Sequence, residues 1–417
     1  MTTSDEVMRR CAELDRFSAR ATGLERVYLS AEHRAANEAV AGWMRDAGLT
    51  TWVDAAGNQY GRMEGREPGL PALLLGSHLD TVPDAGSYDG MLGVVMAVAV
   101  ARRLHEDDVA LPFALEVVGF SDEEGTRFGK ALLGSSAAAG LWDDAWWSVR
   151  DARGVTLRQA FVDFGLDPDR VGEAARRPEE LVGYLEAHIE QGPYLEAADA
   201  SLGVVSSIAG ARRFTLSVIG EARHAGGTPY ERRKDALVGA SEAISLIERL
   251  ARASVCVATV GQISVAPGGV NVVPGQADFS LDLRAERDVD RDVLWDRYVT
   301  EIGALCAARG LRFCWHETHS APAMPCASWL REAVVEGIAV TGDHAPMELW
   351  SRAGHDGMAV GHVTDIGMLF LRCFDGISHH PAESVREVDV ARGLDAFEAA
   401  VLAVAARIDA RRVEVVV

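Results

Sequence analysis

Apolar and polar residues follow one another along the first 200 residues in a pattern that predicts alternating helices and strands. Apolar positions recur at intervals of three and four over residues 4–21 and 31–47, which predicts two amphipathic helices. Short apolar runs predict three buried strands, at residues 72–77, 113–120 and 183–191. A longer apolar run at 90–104 predicts a buried helix. This alternation predicts an α/β fold around a largely buried sheet.

The pattern changes near residue 207, where the order becomes strand–helix–strand–strand–helix–strand. These elements are predicted at residues 212–220, 234–251, 255–265, 276–284, 288–309 and 311–318. This order is that of the split βαβ arrangement, a compact α+β sandwich. Helix and strand patterns resume after residue 320, with a helix at 328–342, a strand at 367–372 and a final helix at 389–408. We therefore predict an α/β domain over residues 1–207 and 321–417, interrupted by an inserted α+β domain over residues 208–320.

The net charge of the chain argues against some classes of binding partner. The chain has 417 residues with 41 Lys and Arg against 62 Asp and Glu, a net charge of −21. Such a surface disfavours nucleic acid and anionic membranes. The charged first residues lack the apolar core of a secretion signal, and the apolar stretch at 91–100 is too short to span a bilayer. The six cysteines show no CxxC spacing, so we predict free thiols and a cytoplasmic protein.

A cluster of acids follows the second predicted strand, where residues 121–125 read SDEEG. Two like charges about 4 Å apart repel by about 4 kcal/mol at an effective dielectric constant of about 20. Such a run is common in solvated turns and at helix N-termini. After a buried strand, however, it indicates a bound cation that offsets the repulsion.

Three other segments offer ligands at the ends of strands or in turns. They are GSHLDTVPDAGSYDG with His78, Asp80 and Asp89; EAHIEQG with His188; and ISHHPAE with His379 and His380. Open α/β sheets build their sites at the carboxyl ends of strands. Each histidine alone is more typical of a structural hydrogen bond than of a ligand. The mixed set of imidazoles and carboxylates without thiolate predicts zinc, manganese, cobalt or nickel, and two such ions about 3.5–4 Å apart would offset the repulsion in SDEEG.

Seven motifs in this order resemble the M20 metallopeptidase-like superfamily, and specifically its amidase, hydantoinase/carbamoylase branch. They are GSHLDTVPDAGSYDG, FSDEEGTRFG, EAHIEQGPYLE, RHAGGTPYERRKDAL, GGVNVVPGQADFSLDLR, SRAGHDG and GISHHPAES. The resemblance implies a zinc-aminopeptidase-like catalytic domain, with a mixed sheet flanked by helices, interrupted by a ferredoxin-like α+β domain. It also implies a homodimer formed through that inserted domain.

The resemblance also implies which residues bind the metal ions. It implies two divalent ions per subunit, zinc or manganese, with cobalt or nickel as alternatives. The implied ligands are His78, Asp89 as the bridge, Glu124, His188 and His379. His380 matches a variable position of the motif and is predicted to be a bystander. Asp80 is predicted to orient His78 from behind the ligand set.

The remaining roles also follow from the resemblance. Glu123 is the implied general base, and His224 is the implied oxyanion stabiliser, typically reaching the partner subunit's site. The implied contacts to a substrate carboxylate are Arg213, Asn271 and Arg284, with Arg212 as the alternative to Arg213, and Gln191 is a candidate contact to the ureido group. An arginine suits a carboxylate because its planar fork binds both oxygens.

The implied activity is hydrolysis of a linear C–N amide bond, most simply the carbamoyl group of an N-carbamoyl-L-amino acid or of allantoate. An M20 dipeptidase or an N-acyl-amino acid deacylase is the alternative enzyme, and a catalytically silent binding protein is the alternative outside enzymes. Three positions depart from the family's usual residues: Arg352, Gly227 and Tyr230. None is a proposed ligand, so these departures concern the substrate rather than the reaction.

Overall fold

The computed structural model describes residues 3–416, with side chains described as far as Arg411. The helices are α1 (Ser4–Leu14), α2 (Ala31–Asp46), α3 (Met91–Glu106), α4 (Leu133–Ala138), α5 (Leu157–Phe164), α6 (Tyr194–Ala197), α7 (Ala236–Arg252), α8 (Asp288–Ala308), α9 (Ser328–Ala339), α10 (Gly357–Val360) and α11 (Glu387–Val416). The strands are β1 (Thr50–Val53), β2 (Gln59–Met63), β3 (Ala72–His78), β4 (Ala114–Phe120), β5 (Leu181–Ile189), β6 (Leu202–Ile208), β7 (Gly210–Ile219), β8 (Arg223–His224), β9 (Val257–Thr259), β10 (Ile263–Ala266), β11 (Val272–Val273), β12 (Gln276–Ala285), β13 (Arg312–Ala321), β14 (Met324–Pro325), β15 (Met347–Ser351) and β16 (Ile366–Leu371).

The chain divides into two compact units. The first contains the residues up to Ser206, Cys326–Leu349 and the residues from Ala353 on, and the second contains Ser207–Pro325 and Trp350–Arg352. The predicted inserted domain, residues 208–320, is a few residues shorter than the second unit. The short stretch Trp350–Arg352 joins the second unit because Arg284 Nη1 donates to the Arg352 carbonyl at 2.6 Å and Ala209 N donates to the Ser351 carbonyl at 2.9 Å.

The first unit is built on a mixed sheet with helices packed against it, as the alternating pattern predicts. Its strand order is β1-β2-β4-β3-β5-β16-β6, and β15 also pairs with β6. Strands β4, β3, β5 and β16 run parallel, whereas β1, β2 and β6 are antiparallel to their neighbours. Helix α3 is buried on every side from Met91 to Ala101, which explains its apolar run. The main core contains this helix and the apolar faces of α1, α2, α9 and α11.

The second unit has its own sheet and core. Its sheet has the order β10-β12-β7-β13, and β9 also pairs with β12. Strand β12 alternates strictly between half-exposed and buried residues, so that one face of the sheet is covered. Helices α7 and α8 supply the apolar residues on that face, including Leu246, Trp295 and Tyr298. All six cysteines of the chain are free thiols.

Helix α1 is shorter than its apolar period predicts. The prediction extends to residue 21, but the helix ends at Leu14. The buried Arg26 accounts for this end, because its Nη1 donates to the Leu14 carbonyl at 2.8 Å and to the Phe17 carbonyl at 3.1 Å. These carbonyls therefore accept hydrogen bonds from a residue outside the helix, and the local sequence does not reveal this tertiary contact.

Candidate metal centre

The carboxyl ends of four parallel strands meet at one edge of the sheet of the first unit. His78, the last residue of β3, is paired in register with Phe120, the last residue of β4. His188, near the end of β5, is paired with Phe370 of β16. The SDEEG segment directly follows β4, and the segment with His379 follows β16 by a few residues. Binding sites of open α/β sheets lie at this edge.

Asp89 lies at the centre of the predicted ligand set. Its Oδ1 is 3.2 Å from His188 Nε2 and 3.7 Å from His78 Nε2, whereas its Oδ2 is 3.0 Å from His379 Nε2. Glu124 Oε1 in turn lies 3.5 Å from His379 Nε2. The two oxygens of Asp89 therefore face two different groups, one with His78 and His188 and the other with Glu124 and His379. In each group the ligand atoms lie within 4.8 Å of one another.

These separations fit two divalent ions that share Asp89. Ligand atoms at about 2.0–2.1 Å from one tetrahedral ion lie about 3.3 Å from each other. The observed contacts to Asp89, from 3.0 to 3.7 Å, bracket this value. His188 Nε2 is fully buried and forms no hydrogen bond within the described part of the chain, although Asp89 is close. An imidazole nitrogen held in this way is suited to ligating a metal.

The charges of the ligand set are strongly perturbed. Burial works to raise the pKa of Asp89, but the imidazoles of His188, His379 and His78 outweigh it and hold that pKa well below its usual range. The contact with Asp89 raises the pKa of His379 to about 9. Burial, reinforced by Asp89, raises the pKa of Glu124 to about 7. These shifts arise because carboxylates and imidazoles are packed closely together, and such groups bind protons and metal ions in competition.

Glu123 faces the same space but has a different environment. Its side chain is 8% exposed, and its carboxylate lies within reach of His78 and Glu124. Burial raises the pKa of Glu123 well above its usual range, and the neighbouring Glu124 adds to this effect while His78 opposes it. A carboxyl group with a raised pKa is suited to exchanging protons near neutral pH.

Asp80 explains how the acidic segment is held. Its Oδ1 accepts a hydrogen bond from the Glu123 N–H at 2.9 Å, and its Oδ2 accepts one from the Glu124 N–H at 3.1 Å. The nearest partner of His78 Nδ1 is the backbone carbonyl of Asp80, at 3.0 Å, whereas the Asp80 carboxylate is 3.5 Å away. Asp80 thus contacts His78 mainly through its main chain, and its side chain positions the two glutamates.

A buried polar network lies beneath the same segment. Asn58 Oδ1 accepts from the Ser121 N–H at 2.9 Å, and the Ser121 hydroxyl contacts His33 Nε2 at 3.0 Å. Burial lowers the pKa of His33 to about 4, so this imidazole is neutral near pH 7.

Gly90 has φ +73°, and a Cβ at this position would come within 2.4 Å of His78 Nε2. The position before α3 therefore requires glycine.

Four further residues contact the ligand set and are not predicted from the sequence. Glu186 and His355 have ligand atoms within 4.8 Å of those of His188. Glu186 lies two residues before His188 on β5, so the strand period of two could have identified it. Ser378 and Glu383 belong to the His379 motif; Ser378 Oγ lies 2.9 Å from Asp89 Oδ2, and Glu383 Oε1 accepts from the Asp89 N–H at 3.1 Å. His380 is exposed, and its Nδ1 accepts from the Ala382 N–H at 3.1 Å.

Gln191 lies beside the ligand set with φ +55°. Its Nε2 donates to Asp89 Oδ2 at 2.9 Å and lies 3.3 Å from Ser378 Oγ. The first unit therefore brings together all eight of its predicted site residues: His78, Asp80, Asp89, Glu123, Glu124, His188, Gln191 and His379.

The second unit holds the other predicted residues in two groups. Arg213 and Arg284 both bind the carboxylate of Asp282, at 2.8 Å and 2.7 Å. His224 and Asn271 are neighbours, because β8 pairs with β11 and the Ala225 N–H donates to the Asn271 carbonyl at 2.9 Å. His224 Nδ1 accepts from the Gly227 N–H at 2.9 Å. This hydrogen bond selects the tautomer that carries its proton on Nε2.

The comparison with known proteins agrees with this architecture. The model of peptidase family M20/M25/M40 matches residues 74–403. This match covers most of the chain, which therefore belongs to the M20 family.

Within the family the chain resembles amidohydrolases. It is 38% identical over 397 residues to an N-carbamoyl-L-amino acid amidohydrolase of Geobacillus stearothermophilus, covering 95% of this chain and 97% of the relative. It is 39% identical over 427 residues to allantoate deiminase of Arabidopsis thaliana, covering 94% and 81%. A solved structure of an amidase of the hydantoinase/carbamoylase family from Burkholderia multivorans matches with a TM-score of 0.89 and 30% identity, over 96% and 98% of the two chains. These matches confirm the family resemblance and the predicted α/β fold with a mixed sheet flanked by helices.

The perturbed groups predict how the metal-free protein responds to pH. His379 has a folded-state pKa of about 9 against an ordinary value of 6.5, so its contribution to stability is fully present below pH 6.5 and is lost as pH rises through 9. We expect the difference in the free energy of unfolding between the wild type and His379→Asn to shrink steadily from pH 6.5 to 9.5. Urea unfolding in the presence of a chelator measures this difference. A difference that grows with pH would contradict the assignment.

Proposed function

We propose that this protein is a metal-dependent amidohydrolase that cleaves the carbamoyl group of an N-carbamoyl-L-amino acid or of allantoate. The observation that carries the proposal is the placement of Asp89 between two groups of imidazole and carboxylate ligands. The relatives named as N-carbamoyl-L-amino acid amidohydrolase and allantoate deiminase support the choice of substrate class.

The proposed centre holds two divalent ions. His78 and His188 would hold one ion, Glu124 and His379 would hold the other, and Asp89 would contribute an oxygen to each. Nitrogen and oxygen donors without thiolate suit zinc or manganese, with cobalt or nickel as alternatives. When bound, such a pair supplies Lewis acidity and lowers the pKa of a water molecule toward about 7.

The protein's own residues then carry the protons and the charge. Glu123 takes a proton from the attacking water and returns it to the leaving nitrogen. His224, with its proton on Nε2, donates to the oxygen that becomes negatively charged in the tetrahedral intermediate. For a carbamoyl group the products are the free amine, carbon dioxide and ammonia.

The proposed contacts to the substrate carboxylate are Arg213, Asn271 and Arg284. Arg213 and Arg284 lie on one face of the sheet with Asp282, which holds both guanidinium groups. Arg212 lies on the opposite face, where it binds Glu317 at 2.8 Å and covers the Trp295 ring. This arrangement favours Arg213 over Arg212. Gln191 remains a candidate contact to the ureido group.

Arg284→Lys tests the carboxylate contact. Lysine keeps the charge but loses the bidentate fork, so we expect KM to rise about 10-fold or more for a carboxylate substrate and little for its amide. Steady-state kinetics on one N-carbamoyl amino acid and its amide measure this ratio. Arg252→Lys, at an exposed arginine paired with Glu248, is the matched control. Equal changes on both substrates would remove Arg284 from this role.

A manganese-supplemented screen for ammonia release tests the proposed reaction. Allantoate, ureidoglycolate, β-ureidopropionate and several N-carbamoyl-L-amino acids are the substrates. We expect ammonia release from at least one of these ureido compounds and, in a parallel assay that measures the free amino acid released, little turnover of the N-acetyl amino acids or dipeptides. A preference for the N-acetyl compounds would favour the deacylase alternative. A protein that binds no metal and turns over no substrate would favour the silent alternative.

We further propose a cytoplasmic homodimer formed through the second unit. Its sheet ends at β10, a short edge strand with Ile263 half exposed, and Val255 and Val257 are also exposed. Exposed apolar residues at an unpaired edge favour association with another chain. Sedimentation equilibrium is expected to give twice the chain mass, and a monomer mass would exclude the dimer.

Within residues 3–416, none of the helices combines the length and apolar character needed to cross a membrane.

A further inference from the structure

Glu383 has a buried side chain that binds both the main chain before α3 and the segment before His379. It is 5% exposed. Its Oε1 accepts hydrogen bonds from the Tyr88 N–H at 2.8 Å and the Asp89 N–H at 3.1 Å. Its Oε2 lies 2.9 Å from Ser378 Oγ. One carboxylate therefore connects two segments that are nearly 300 residues apart in the sequence.

Ser378 extends this connection to the side chain of Asp89. Its Oγ lies 2.9 Å from Asp89 Oδ2 as well as 2.9 Å from Glu383 Oε2. Asp89 is thus held at its main-chain nitrogen by Glu383, and the single hydrogen of the Ser378 hydroxyl can be donated either to Asp89 Oδ2 or to Glu383 Oε2. Because His379 directly follows Ser378, the same contacts set the position of the His379 main chain relative to Asp89.

Gly86 provides independent evidence that the Glu383 side chain is closely confined. A Cβ at Gly86 would come within 2.3 Å of Glu383 Cβ and Cδ and within 2.4 Å of Oε1. Real Cβ atoms do not approach other atoms so closely, so the loop before Asp89 packs its main chain directly against the carboxylate. The carboxylate is therefore confined by Gly86 near Oε1 and by Ser378 near Oε2.

We propose that Glu383 is a positioning residue that fixes Asp89 and the Ser378–His379 segment relative to each other, so that each oxygen of Asp89 faces its own ligand group. Only a bridge with a fixed orientation can direct Oδ1 to His78 and His188 while directing Oδ2 to His379. This inference rests on the proposed metal centre. It predicts that Glu383 acts on metal affinity although it is not a ligand, as partners behind metal ligands do.

The test compares Glu383→Ala with Glu383→Gln. Alanine removes both connections, and we expect Mn²⁺ to bind about 10–100-fold more weakly. Glutamine keeps an oxygen for the two N–H groups and an amide that donates to Ser378, so we expect binding within about threefold of the wild type. Manganese binding is measured by competition with a chromogenic chelator, and thermal unfolding of the metal-free variants reports on folding. A purely structural role would lower the unfolding temperature without changing the manganese dissociation constant of the folded protein.

Two other variants keep the test decisive if Glu383→Ala does not fold. Ser378→Ala removes the hydroxyl that contacts both Asp89 Oδ2 and Glu383 Oε2, so it should weaken manganese binding. Gly86→Ala should displace Glu383 and weaken manganese binding. Gly172→Ala is its matched control, because a Cβ there meets nothing within 4 Å.

The outcomes separate this inference from the proposed function. A wild-type protein that does not bind Mn²⁺ would overturn the metal centre and the positioning role together. A wild-type protein that binds Mn²⁺, with Glu383→Ala, Ser378→Ala and Gly86→Ala all binding equally well, would overturn only the role of Glu383. Weakened binding in these variants, with recovery in Glu383→Gln, would support it.

Discussion

Replacing Glu123 with glutamine should lower kcat by at least about 10²-fold while leaving the fold and the metal content unchanged. Glutamine has the same shape but cannot accept the proton of the attacking water. The Glu123 main chain would stay in place, because its N–H donates to Asp80 rather than to a group that the substitution changes. Steady-state kinetics on the best substrate of the ammonia-release screen, together with metal analysis, measure the two effects.

The neighbouring Glu124→Gln variant is the control for this experiment. Glu124 lies in the group with Asp89 and His379, so its substitution should weaken metal binding, whereas Glu123→Gln should not. If Glu123→Gln loses metal instead, Glu123 is a ligand rather than the base. If it keeps nearly full turnover, Glu123 has no part in proton transfer.

The second large effect is expected for Asp89→Asn. Asp89 is the one residue placed in both ligand groups, so loss of its charge should weaken both ions. We expect manganese binding to weaken by at least about 10²-fold, more than for partners that lie behind the ligands. Activity should fall in proportion and should recover only in part when excess Mn²⁺ is added.

Asp163→Asn, at an exposed aspartate that accepts from Gln159, is the matched control. It should leave the manganese dissociation constant unchanged. Separate titration of the two ions distinguishes a bridge from a single-site ligand. Loss of one ion with normal binding of the other would contradict the bridging role.

Much of the fold could be predicted from the sequence because the local pattern and the tertiary structure agree. The apolar run of α3 predicts a buried helix, and this helix is buried on every side. Strands β1 and β2 are not predicted, because the first is mostly exposed and mixes polar and apolar residues without clear alternation. The end of α1 depends on Arg26, which is a contact that no local pattern reveals.

The candidate site could likewise be predicted only in part from the sequence. The ligand types and their places after strands indicate a metal centre, and the structure brings the predicted residues of the first unit together. The side chains that hold those ligands could not be predicted, because their roles depend on contacts between distant segments. Asp80 is predicted to orient His78; its carboxylate lies 3.5 Å from His78 Nδ1, and it also accepts hydrogen bonds from the Glu123 and Glu124 N–H groups. Glu383 belongs to the GISHHPAES segment, yet only its contacts with Tyr88 and Asp89 reveal its position.

The position of β16 inside the sheet determines when the sheet can form during translation. This strand lies between β5 and β6, although more than 150 residues of chain separate it from β6. Until residues 366–371 have left the ribosome, β5 and β6 of the nascent chain lack the strand that pairs with both of them. Unpaired strand edges are templates for aggregation. Chaperone binding to ribosome-bound chains should therefore persist until this strand emerges.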